Sequence, residues 1–322
     1  MPPAPPRVLF LAGPTASGKS AVAVELALRL GGEIVGMDSM QVYRGLPVLS
    51  AAPSQEERAR VPHHLVEAVE PGERFDANRF RTAALALVEQ IGSRGRLPIL
   101  AGGSGLYFSA LVDGLSELPA TDPRLRSDLM ERSSREPVGW LRRELERLDP
   151  VSAARLHPND VHRTLRAVEV SLLTGRPYSS QLGARSPLDP AHFLAFALDV
   201  PRDELCRRID ARATAMVAAG ALQEVARVLG LIGRAAAGGP AGVVSLATAR
   251  QMLGIPQLLP CLAGEEPLEV ARERLAGDTR RFARKQMTWF RRMRQLHWVH
   301  AADGRDPASI AEEIAQLWTS GS

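Results

Sequence analysis

Eight residues close to the N-terminus have the types and the order of a phosphate-binding loop. The segment reads Gly13-Pro14-Thr15-Ala16-Ser17-Gly18-Lys19-Ser20 and matches the Walker A pattern. A buried strand is predicted before it (7–12) and a helix after it (21–30). In such a loop, backbone amides surround phosphate oxygens, the lysine bridges the terminal phosphates and the serine hydroxyl binds Mg²⁺. The segment therefore predicts a pyrophosphate or triphosphate site with Mg²⁺, and the alternative is a chance glycine-rich turn.

A carboxylate, Asp38, directly follows the second predicted strand (33–37). Ligands of α/β sheets bind at the carboxyl ends of the strands, so Asp38 is expected to face the phosphate loop. There it could accept a proton from an incoming nucleophile. Ser39 and Gln41 add hydrogen-bonding groups suited to the edge of a heterocycle. The competing interpretation is that Asp38 caps the turn that follows it.

The third predicted strand (97–101) ends in Gly102-Gly103-Ser104 and not in an acidic residue. GTPases and motor ATPases usually hold a second acidic residue at the end of such a strand. The phosphate loop alone is shared by hydrolases, kinases and transferases. The missing acid favours transfer of a group to a bound acceptor over nucleotide hydrolysis.

Positive charge is concentrated in one segment near the C-terminus. Between Thr279 and Ala302 there is no acidic residue, and the basic ones are Arg280, Arg281, Arg284, Lys285, Arg291, Arg292 and Arg294. At helical spacing Phe282, Trp289 and Phe290 fall near one face, with cations beside it. Such a helix can pack on a core and present cations to RNA. A solvated helix face without a partner is the alternative.

Composition limits the class of protein. The chain has 322 residues, of which 45% are hydrophobic, and a net charge of +4. It has no apolar run near the roughly 18 residues that a membrane helix requires, and its start does not resemble a signal peptide. Cys206, Cys261 and the histidines show no metal-ligand spacing. We therefore expect a cytoplasmic protein without membrane contact, and nothing in the sequence demands more than a monomer.

The order of elements predicts an α/β fold. Strands alternate with helices, which indicates a P-loop NTPase-like core with a mostly parallel sheet flanked by helices. Residues 122–191 show successive helical patterns and no convincing strand, so we predict an all-helical insertion there. The core is then formed by residues 1–121 and 192–322, and the second part contains the basic helix (268–295). The alanine- and glycine-rich segment 230–242 is predicted to be a loop.

Several blocks of the sequence together resemble the tRNA dimethylallyltransferase (isopentenyltransferase) family of the bacterial type. They keep the family order over nearly the whole chain, and their joint match is far more specific than the phosphate loop alone. Besides 13–20, the blocks are Asp-Ser-Met-Gln-Val-Tyr-Arg-Gly at 38–45, Pro-His-His-Leu at 62–65, Leu-Pro-Ile-Leu-Ala-Gly-Gly-Ser-Gly-Leu-Tyr at 97–107, His-Pro-Asn-Asp at 157–160, Arg-Ala-Val-Glu-Val at 166–170 and Lys-Gln-Met-Thr-Trp-Phe at 285–290.

The resemblance implies an enzyme that transfers a dimethylallyl group from dimethylallyl diphosphate to tRNA. The acceptor would be the exocyclic amine (N6) of the adenosine on the 3′ side of the anticodon, and diphosphate would be released. The phosphate loop would then hold the diphosphate leaving group, with Mg²⁺ as cofactor. The helical insertion would bind the anticodon stem, and the target base would leave its stack to react.

The resemblance also implies roles for individual residues. Asp38 would be the general base, Thr15 would contact the diphosphate, Arg212 would stabilise the departing diphosphate and Ser20 would bind Mg²⁺. The whole segment Gly13, Pro14, Thr15, Ala16, Ser17, Gly18, Lys19 and Ser20 would hold the diphosphate. The positions that match tRNA contacts are Asp38, Ser39, Met40, Gln41, Ser104, Arg126, His162, Arg163, Thr164, Leu165, Arg166, Lys285, Gln286 and Trp289.

One departure and two other functions bear on this interpretation. The Gly-Tyr-Lys/Arg-Gln segment of the family appears here as Gly254-Ile255-Pro256-Gln257, which lacks an aromatic ring and a cation. A P-loop small-molecule kinase would use ATP as donor, with Asp38 activating an acceptor hydroxyl, and it leaves the basic segment and the insertion unexplained. A non-catalytic RNA-binding module would bind tRNA and form no product.

Overall fold

The computed structural model describes residues 7–183, 185–237, 252–302 and 304–320. The chain forms two compact units, one made of Met1–Val112 with Leu188–Ser322 and the other of Asp113–Pro187. In the described ranges, no helix is long and apolar enough to cross a membrane.

The first unit is built on a parallel sheet. Its strands are β1 (Val8–Ala12), β2 (Gly32–Gly36), β3 (His63–His64), β4 (Leu97–Gly102), β5 (Phe193–Asp199) and β6 (Leu296–His300). The six strands lie in the order β3-β2-β4-β1-β5-β6, and each neighbouring pair is parallel. All five residues of β1 are buried, as expected for a strand covered on both faces. The predicted α/β fold with a mostly parallel sheet is confirmed.

The helices of the first unit flank this sheet. Within the described residues they are α1 (Lys19–Leu30), α2 (Pro47–Ser50), α3 (Gln55–Arg60), α4 (Ala77–Ser93), α5 (Gly105–Val112), α10 (Arg202–Ala218), α11 (Ala221–Ala237), α12 (Ile255–Leu262), α13 (Leu268–Phe290) and α14 (Pro307–Ser320). The four helices between α5 and α10 in chain order belong to the second unit and are given below.

Each face of the sheet has its own hydrophobic core, because successive residues of a strand point to opposite faces. Phe10 belongs to the cluster that contains Phe108, and the two rings meet edge to face with centroids 5.1 Å apart. Its neighbours Leu9 and Leu11 belong to the other cluster, with Leu26 of α1. The central strand is therefore held from both sides, and this fixes the place where the phosphate loop begins.

The second unit is helical and has a small core of its own. Its helices are α6 (Pro123–Arg135), α7 (Trp140–Leu148), α8 (Pro150–Arg155) and α9 (Val161–Thr174). Leu129, Trp140, Leu145 and Leu165 are buried in this core. Aspartates at the N-caps of α6, α8 and α9 accept hydrogen bonds from the first backbone amides of those helices.

Asp149 is the most deeply buried of these caps. It is 0% exposed and accepts hydrogen bonds from Ser152 N, Ser179 N and Ser179 Oγ. Burial alone would raise the pKa of this carboxyl, but the bonds from Ser152 and Ser179 outweigh burial and leave the pKa below its ordinary value. The cap thus joins the start of α8 to the turn after α9.

The insertion and the second unit have different boundaries. The sequence placed the helical insertion at 122–191, whereas the compact unit comprises Asp113–Pro187. Leu188 N donates to Leu111 O, so the returning chain is already bonded to the first unit at Leu188. Residues 113–122 contain no helical pattern, and therefore the sequence could not mark the start of the unit.

Sequence patterns failed at a few elements. The predicted loop 230–242 is wrong for its first part, because α11 continues through Ala237 on alanines with high helix propensity; residues 238–242 lie outside the described residues. The predicted helix 268–295 ends at Phe290, and the short strand β6 follows it. Only two residues of β6 are buried, so its pattern is weak. Strand β3 and helix α14 were also not predicted.

We predict that Leu145→Ala destabilises the second unit by about 2–5 kcal/mol, because it leaves a cavity in a small core where Leu145 is 0% exposed. Hydrogen exchange followed by mass spectrometry should show faster exchange across residues 140–148. Val151→Ala is the matched control, since Val151 is 65% exposed, and it should change exchange little. Equal protection in Leu145→Ala and the native chain would contradict the assignment of this core.

Candidate active site

The phosphate loop joins the end of β1 to the start of α1, as its mechanism requires. Gly18 is the N-cap of α1 and adopts the left-handed conformation with φ of 85°. Ala16 also has a positive φ, 63°, which is uncommon for a residue with a Cβ and marks a tightly wound loop. The first amides of α1 have no partner within the helix, and their dipoles favour an anion.

Among the charged side chains that line one cavity beside this loop are Lys19, Asp38 and Arg212. Desolvation lowers the pKa of Lys19 from 10.5 to about 8, while Asp38 raises this pKa and Arg212 lowers it further. Desolvation also lowers the pKa of Arg212, and Asp38 opposes that shift. Among the described residues, neither cation forms an ion pair with Asp38. The cations interact with the carboxylate from a distance, which leaves space for a ligand between them.

Helix α10 supplies the arginines that contact the phosphate loop. Arg212 Nη1 donates to Thr15 Oγ1 over 3.2 Å, and Arg208 Nη1 donates to Ser17 O over 3.4 Å. The two arginines are four residues apart and therefore lie on the same side of the helix. Arg208 also pairs with the buried Glu204 one turn earlier. The loop is thus braced by cations from a helix far away in sequence.

Asp38 lies in the turn that follows β2. Its Oδ1 accepts a hydrogen bond from Met40 N over 2.9 Å and a longer one from Gln41 N over 3.4 Å. Asp38 therefore caps the turn and also lines the cavity wall, so both interpretations of this side chain are correct. Among the described residues, its other carboxylate oxygen, Oδ2, has no hydrogen-bond or ion-pair partner.

Gln41 is anchored by its amide. Its Nε2 donates to Ser50 O over 3.3 Å and to Ala51 O over 2.9 Å. The start of α2 is in turn capped by the buried Glu224, which accepts from Val48 N and Leu49 N. The loop from Asp38 to Ala51 is therefore fixed at both ends.

The glycines after β4 permit three close approaches. A Cβ on Gly102 would lie 2.0 Å from Met37 O, so only glycine lets β4 end this near β2. A Cβ on Gly103 would lie 2.4 Å from Gln286 Nε2, and one on Gly105 would lie 2.6 Å from Trp289 Cδ1. The segment that the sequence singled out for lacking an acidic residue is the surface on which α13 packs.

The cavity has a volume of about 600 Å³ and two kinds of wall. The charged side chains and the phosphate loop form its polar part. Apolar side chains come from α10, α13 and the residues before α12. They include Ile209, Ala213, Met216, Met252, Leu253 and Leu275. Such a cavity suits a ligand with an anionic end and a hydrocarbon end.

The structure gathers many of the predicted site residues around this cavity. Those that line it are Thr15, Lys19, Ser20, Asp38, Ser39, Met40, Gln41, Ser104, Arg212, Lys285, Gln286 and Trp289. Gly13, Pro14, Ala16, Ser17 and Gly18 form the loop without being part of the lining. The remaining predicted residues lie in the second unit.

In the second unit, Arg126 and Arg166 share one buried carboxylate. Arg166 Nη1 lies 3.0 Å from Glu169 Oε2, and Arg126 Nη1 lies 3.4 Å from the same oxygen. Glu169 is 0% exposed, whereas both arginines are partly exposed. His162 and Arg163 are exposed at the start of α9. The structure places these four side chains wholly or partly at the surface of the second unit, and their contact with tRNA stays a prediction.

Thr164 and Leu165 differ from these four residues because they are buried. They are only 2% and 3% exposed, and Leu165 belongs to the core of the second unit. Their side chains are therefore turned away from solvent, and the tRNA contact that the resemblance implies at these two positions stays a prediction. The family block is contiguous in sequence, but a helix turns these two positions inward while its neighbours face solvent.

The basic helix α13 carries both buried and exposed residues. Arg280 pairs with Asp210 and Arg281 pairs with Asp278. Arg284 and Lys285 in this helix, and Arg291, Arg292 and Arg294 just beyond its end, are exposed, and no described residue forms an ion pair with them. Unpaired exposed cations next to the cavity favour a polyanionic partner over a merely solvated face.

Sequence reasoning missed two features of this site. It gave Arg208 no role, although its spacing of four residues from Arg212 was a usable signal. It also placed Phe282 on the face that packs on the core, whereas Phe282 is 44% exposed and lines the cavity on the same face of α13 as Trp289. The apolar wall could not be found from the sequence, because its residues are typical of any helix core.

Known proteins resemble this chain over nearly its whole length. The family model described as IPP transferase matches residues 41–293. A tRNA dimethylallyltransferase from Geobacter metallireducens is 45% identical over 294 residues, which cover 91% of this chain and 92% of the relative. Another from Anaeromyxobacter dehalogenans is 44% identical over 309 residues, which cover 96% of this chain and 99% of the relative.

Solved structures give the same result. The tRNA isopentenylpyrophosphate transferase of Bacillus halodurans is 33% identical, with a TM-score of 0.68 and coverage of 98% of this chain and 96% of that one. A eukaryotic dimethylallyltransferase acting on tRNA is 26% identical, with a TM-score of 0.79 and coverage of 98% and 79%. Because the family model and these relatives match both sequence and fold, the protein belongs to the IPP transferase family.

Proposed function

We propose that this protein transfers the dimethylallyl group of dimethylallyl diphosphate to the N6 amine of the adenosine on the 3′ side of a tRNA anticodon. The observation that carries the proposal is one cavity that combines Asp38, Lys19, Arg212 and an apolar wall. The bond between the allylic carbon and the diphosphate oxygen breaks, a carbon–nitrogen bond forms, and the amine loses one proton.

The phosphate loop stabilises the leaving group. As the carbon–oxygen bond breaks, negative charge accumulates on the diphosphate. Lys19 and Arg212 lie beside it in a desolvated site, where a fixed cation stabilises such charge more than it would in water. Thr15 holds Arg212 through its hydroxyl. The cations therefore act at the atom that gains charge.

Asp38 accepts the proton of the attacking amine. A neutral aromatic amine is a weak nucleophile, and removal of its proton as the new bond forms favours the reaction. Met40 N holds one carboxylate oxygen, so the carboxylate has a fixed direction. The cations Lys19 and Arg212 suit the diphosphate donor, and the carboxylate of Asp38 suits the attacking amine. The cavity thus has a matching group for each of the two substrates.

The apolar wall favours a prenyl donor over ATP. Met216, Leu253 and Leu275 would contact the dimethylallyl group, whose burial removes hydrocarbon from water. The kinase hypothesis has no observation of this kind in its favour. The phosphate loop therefore supports a donor with a diphosphate, and the apolar side chains of the cavity support a donor that carries a hydrocarbon group.

The exposed cations support tRNA as the acceptor. Lys285 and Trp289 lie at the cavity, next to the further cations of α13. Positive side chains bind the RNA backbone, and an exposed aromatic ring can stack on a base that has left its helix. In the second unit, the partly exposed Arg126 and Arg166 are held by Glu169, and we propose that their guanidinium groups bind phosphate alongside this carboxylate.

Mg²⁺ is the proposed cofactor, and the residues present fit it. The described residues contain no cluster of three or more His, Cys, Asp or Glu that could hold a metal ion by itself. This suits Mg²⁺, which protein sites usually hold through one or two side chains plus substrate phosphates. Ser20 lines the cavity and would provide the hydroxyl ligand. When bound, the ion would neutralise charge on the diphosphate.

We also propose that the protein works as a cytoplasmic monomer. Both statements follow the expectation from the sequence, which has no membrane-length apolar run and no feature that demands an oligomer.

The proposal is tested by incubating unmodified tRNA with the protein, dimethylallyl diphosphate and Mg²⁺, followed by mass spectrometry of the nucleosides. We expect N6-dimethylallyl adenosine to appear in reactions with this donor and to be absent when ATP replaces it. Turnover with ATP alone would support the kinase. Stable tRNA binding with neither product would support a non-catalytic module.

Asp38→Asn should lower turnover by roughly 10²–10⁴-fold, the usual effect of a lost general base. The amide oxygen can still accept from Met40 N, so the turn is preserved. Pyrophosphate should bind at least as tightly as before, because a negative charge near Lys19 and Arg212 has been removed. Single-turnover kinetics and calorimetry measure the two effects. Asp76→Asn, at the N-cap of α4, is the matched control and should keep turnover, whereas native turnover in Asp38→Asn would refute the assignment.

Lys19 should make pyrophosphate binding depend on pH. The ammonium form binds the anion, and a pKa of about 8 means that it loses its proton as the pH rises through this value. Pyrophosphate affinity should therefore fall above pH 8, and binding at about pH 8.5 should draw a proton onto Lys19. Calorimetry in buffers of different ionisation enthalpy measures this uptake. Lys19→Arg, which stays charged, should take up less; equal uptake in both proteins would exclude Lys19 as its source.

A further inference from the structure

We propose that Gln286 is a positioning residue for the departing diphosphate. Its side-chain amide holds the phosphate loop and the glycine segment after β4 in register, and through Thr15 it fixes Arg212. The inference rests on the proposed function. It gives Gln286 a role other than the tRNA contact that the resemblance implied.

Both ends of the Gln286 amide are used by backbone groups. Its Oε1 accepts from Thr15 N over 2.8 Å, and its Nε2 donates to Gly103 O over 2.8 Å. The residue is only 7% exposed. Buried polar groups are costly to leave without a partner, so this arrangement ties two loops to α13. Each end of the amide already has a backbone partner, so only one N–H and one oxygen lone pair remain for any contact with RNA.

The glycine segment is shaped for the side chains of α13. A Cβ on Gly103 would lie 2.4 Å from Gln286 Nε2 and 3.3 Å from Gly13 O, so a side chain there would push Gln286 away from the loops. Gly105 leaves similar room for the ring of Trp289. Gln286 and Trp289 are three residues apart and lie on one face of the helix. The absence of side chains at Gly103 and Gly105 therefore follows from the close packing of α13.

The contact continues from Gln286 to the diphosphate site. Gln286 holds the backbone of Thr15, and the Thr15 hydroxyl accepts from Arg212 Nη1 over 3.2 Å. Arg212 lines the cavity with Lys19. A shift of Thr15 would move its hydroxyl away from Arg212, and small displacements of groups that stabilise a transition state reduce the rate strongly. Gln286 thus acts through Thr15 on the cation at the leaving group.

The neighbouring Lys285 provides a matched contrast. It lies next to Gln286 in sequence, is exposed, and has no ion-pair partner in the described part of the chain. Exposed Lys285 and buried Gln286 should therefore affect different substrates: Lys285 the tRNA, Gln286 the diphosphate.

The first experiment compares Gln286→Met with Lys285→Ala. Met keeps the approximate length of glutamine and makes neither hydrogen bond. We expect Gln286→Met to lower kcat roughly 10- to 100-fold and to weaken binding of inorganic pyrophosphate, with the KM for tRNA unchanged. Lys285→Ala should raise the KM for tRNA in a salt-dependent way and should weaken pyrophosphate binding less than Gln286→Met does. A raised KM for tRNA in Gln286→Met, with native pyrophosphate affinity, would overturn the proposal.

The second experiment is a double-mutant cycle between Gly103→Ala and Gln286→Ala, read out as pyrophosphate affinity. Gly103→Ala alone should weaken binding, because its methyl group displaces Gln286. The same change should have a smaller effect in the Gln286→Ala background, where the opposing side chain is gone. Strictly additive effects would show that Gln286 does not hold this segment and would also overturn the proposal.

Two controls distinguish loss of the positioning role of Gln286 from loss of the fold and from failure of the proposed function. Thermal unfolding of each variant detects loss of fold; if Gln286→Met does not fold, Gln286→Glu replaces it. That variant retains an acceptor for Thr15 N but cannot donate to Gly103 O, and native pyrophosphate affinity in it would count against the proposal. Because pyrophosphate binding needs no turnover, the cycle still decides the role of Gln286 if the native protein forms no dimethylallyl product. That last result would count against the proposed function alone.

Discussion

The site depends on keeping Asp38 near Lys19 and Arg212 without letting them form an ion pair. Direct contact would neutralise the carboxylate and the cations together and would close the space that a substrate needs. The structure prevents this by giving each group another partner: Asp38 accepts from Met40 N, Lys19 donates to Pro14 O, and Arg212 donates to Thr15. A separated charge set costs desolvation, which is visible in the lowered pKa of Lys19.

That separation is maintained by elements distant in sequence. β1 and β2 end at the same edge of the sheet because all strands are parallel, and this brings the phosphate loop and Asp38 together. Helix α10 adds Arg208 and Arg212, and α13 adds Gln286. The small residues Gly102 and Gly103 let these elements approach closely enough to touch. The position of the charges is therefore a property of the assembled sheet and helices, and no single loop could provide it.

How much could be predicted follows from this geometry. The phosphate loop and Asp38 were accessible from the sequence, because each is a local pattern at the end of an apolar strand. Gln286 was identified only as a position in a family block, since its partner Thr15 is 271 residues away. Likewise, the structure shows that Thr164 and Leu165 are buried while the residues before them are exposed. A match of consecutive residues to a family block does not contain this difference. Weak strands such as β6 escaped detection because few of their residues are buried.

The central position of β1 has a consequence for the synthesis of the protein. β1 pairs with β4 on one side and with β5, which begins at Phe193, on the other. A chain that is still growing on the ribosome thus carries the full phosphate-loop motif while one edge of β1 is open, and Gln286 emerges later still. Translation must be nearly finished before Thr15 has its partner. The catalytic centre can therefore form only late in synthesis. A prematurely terminated chain contains the phosphate-loop motif but lacks β5 and Gln286, which hold the loop in place.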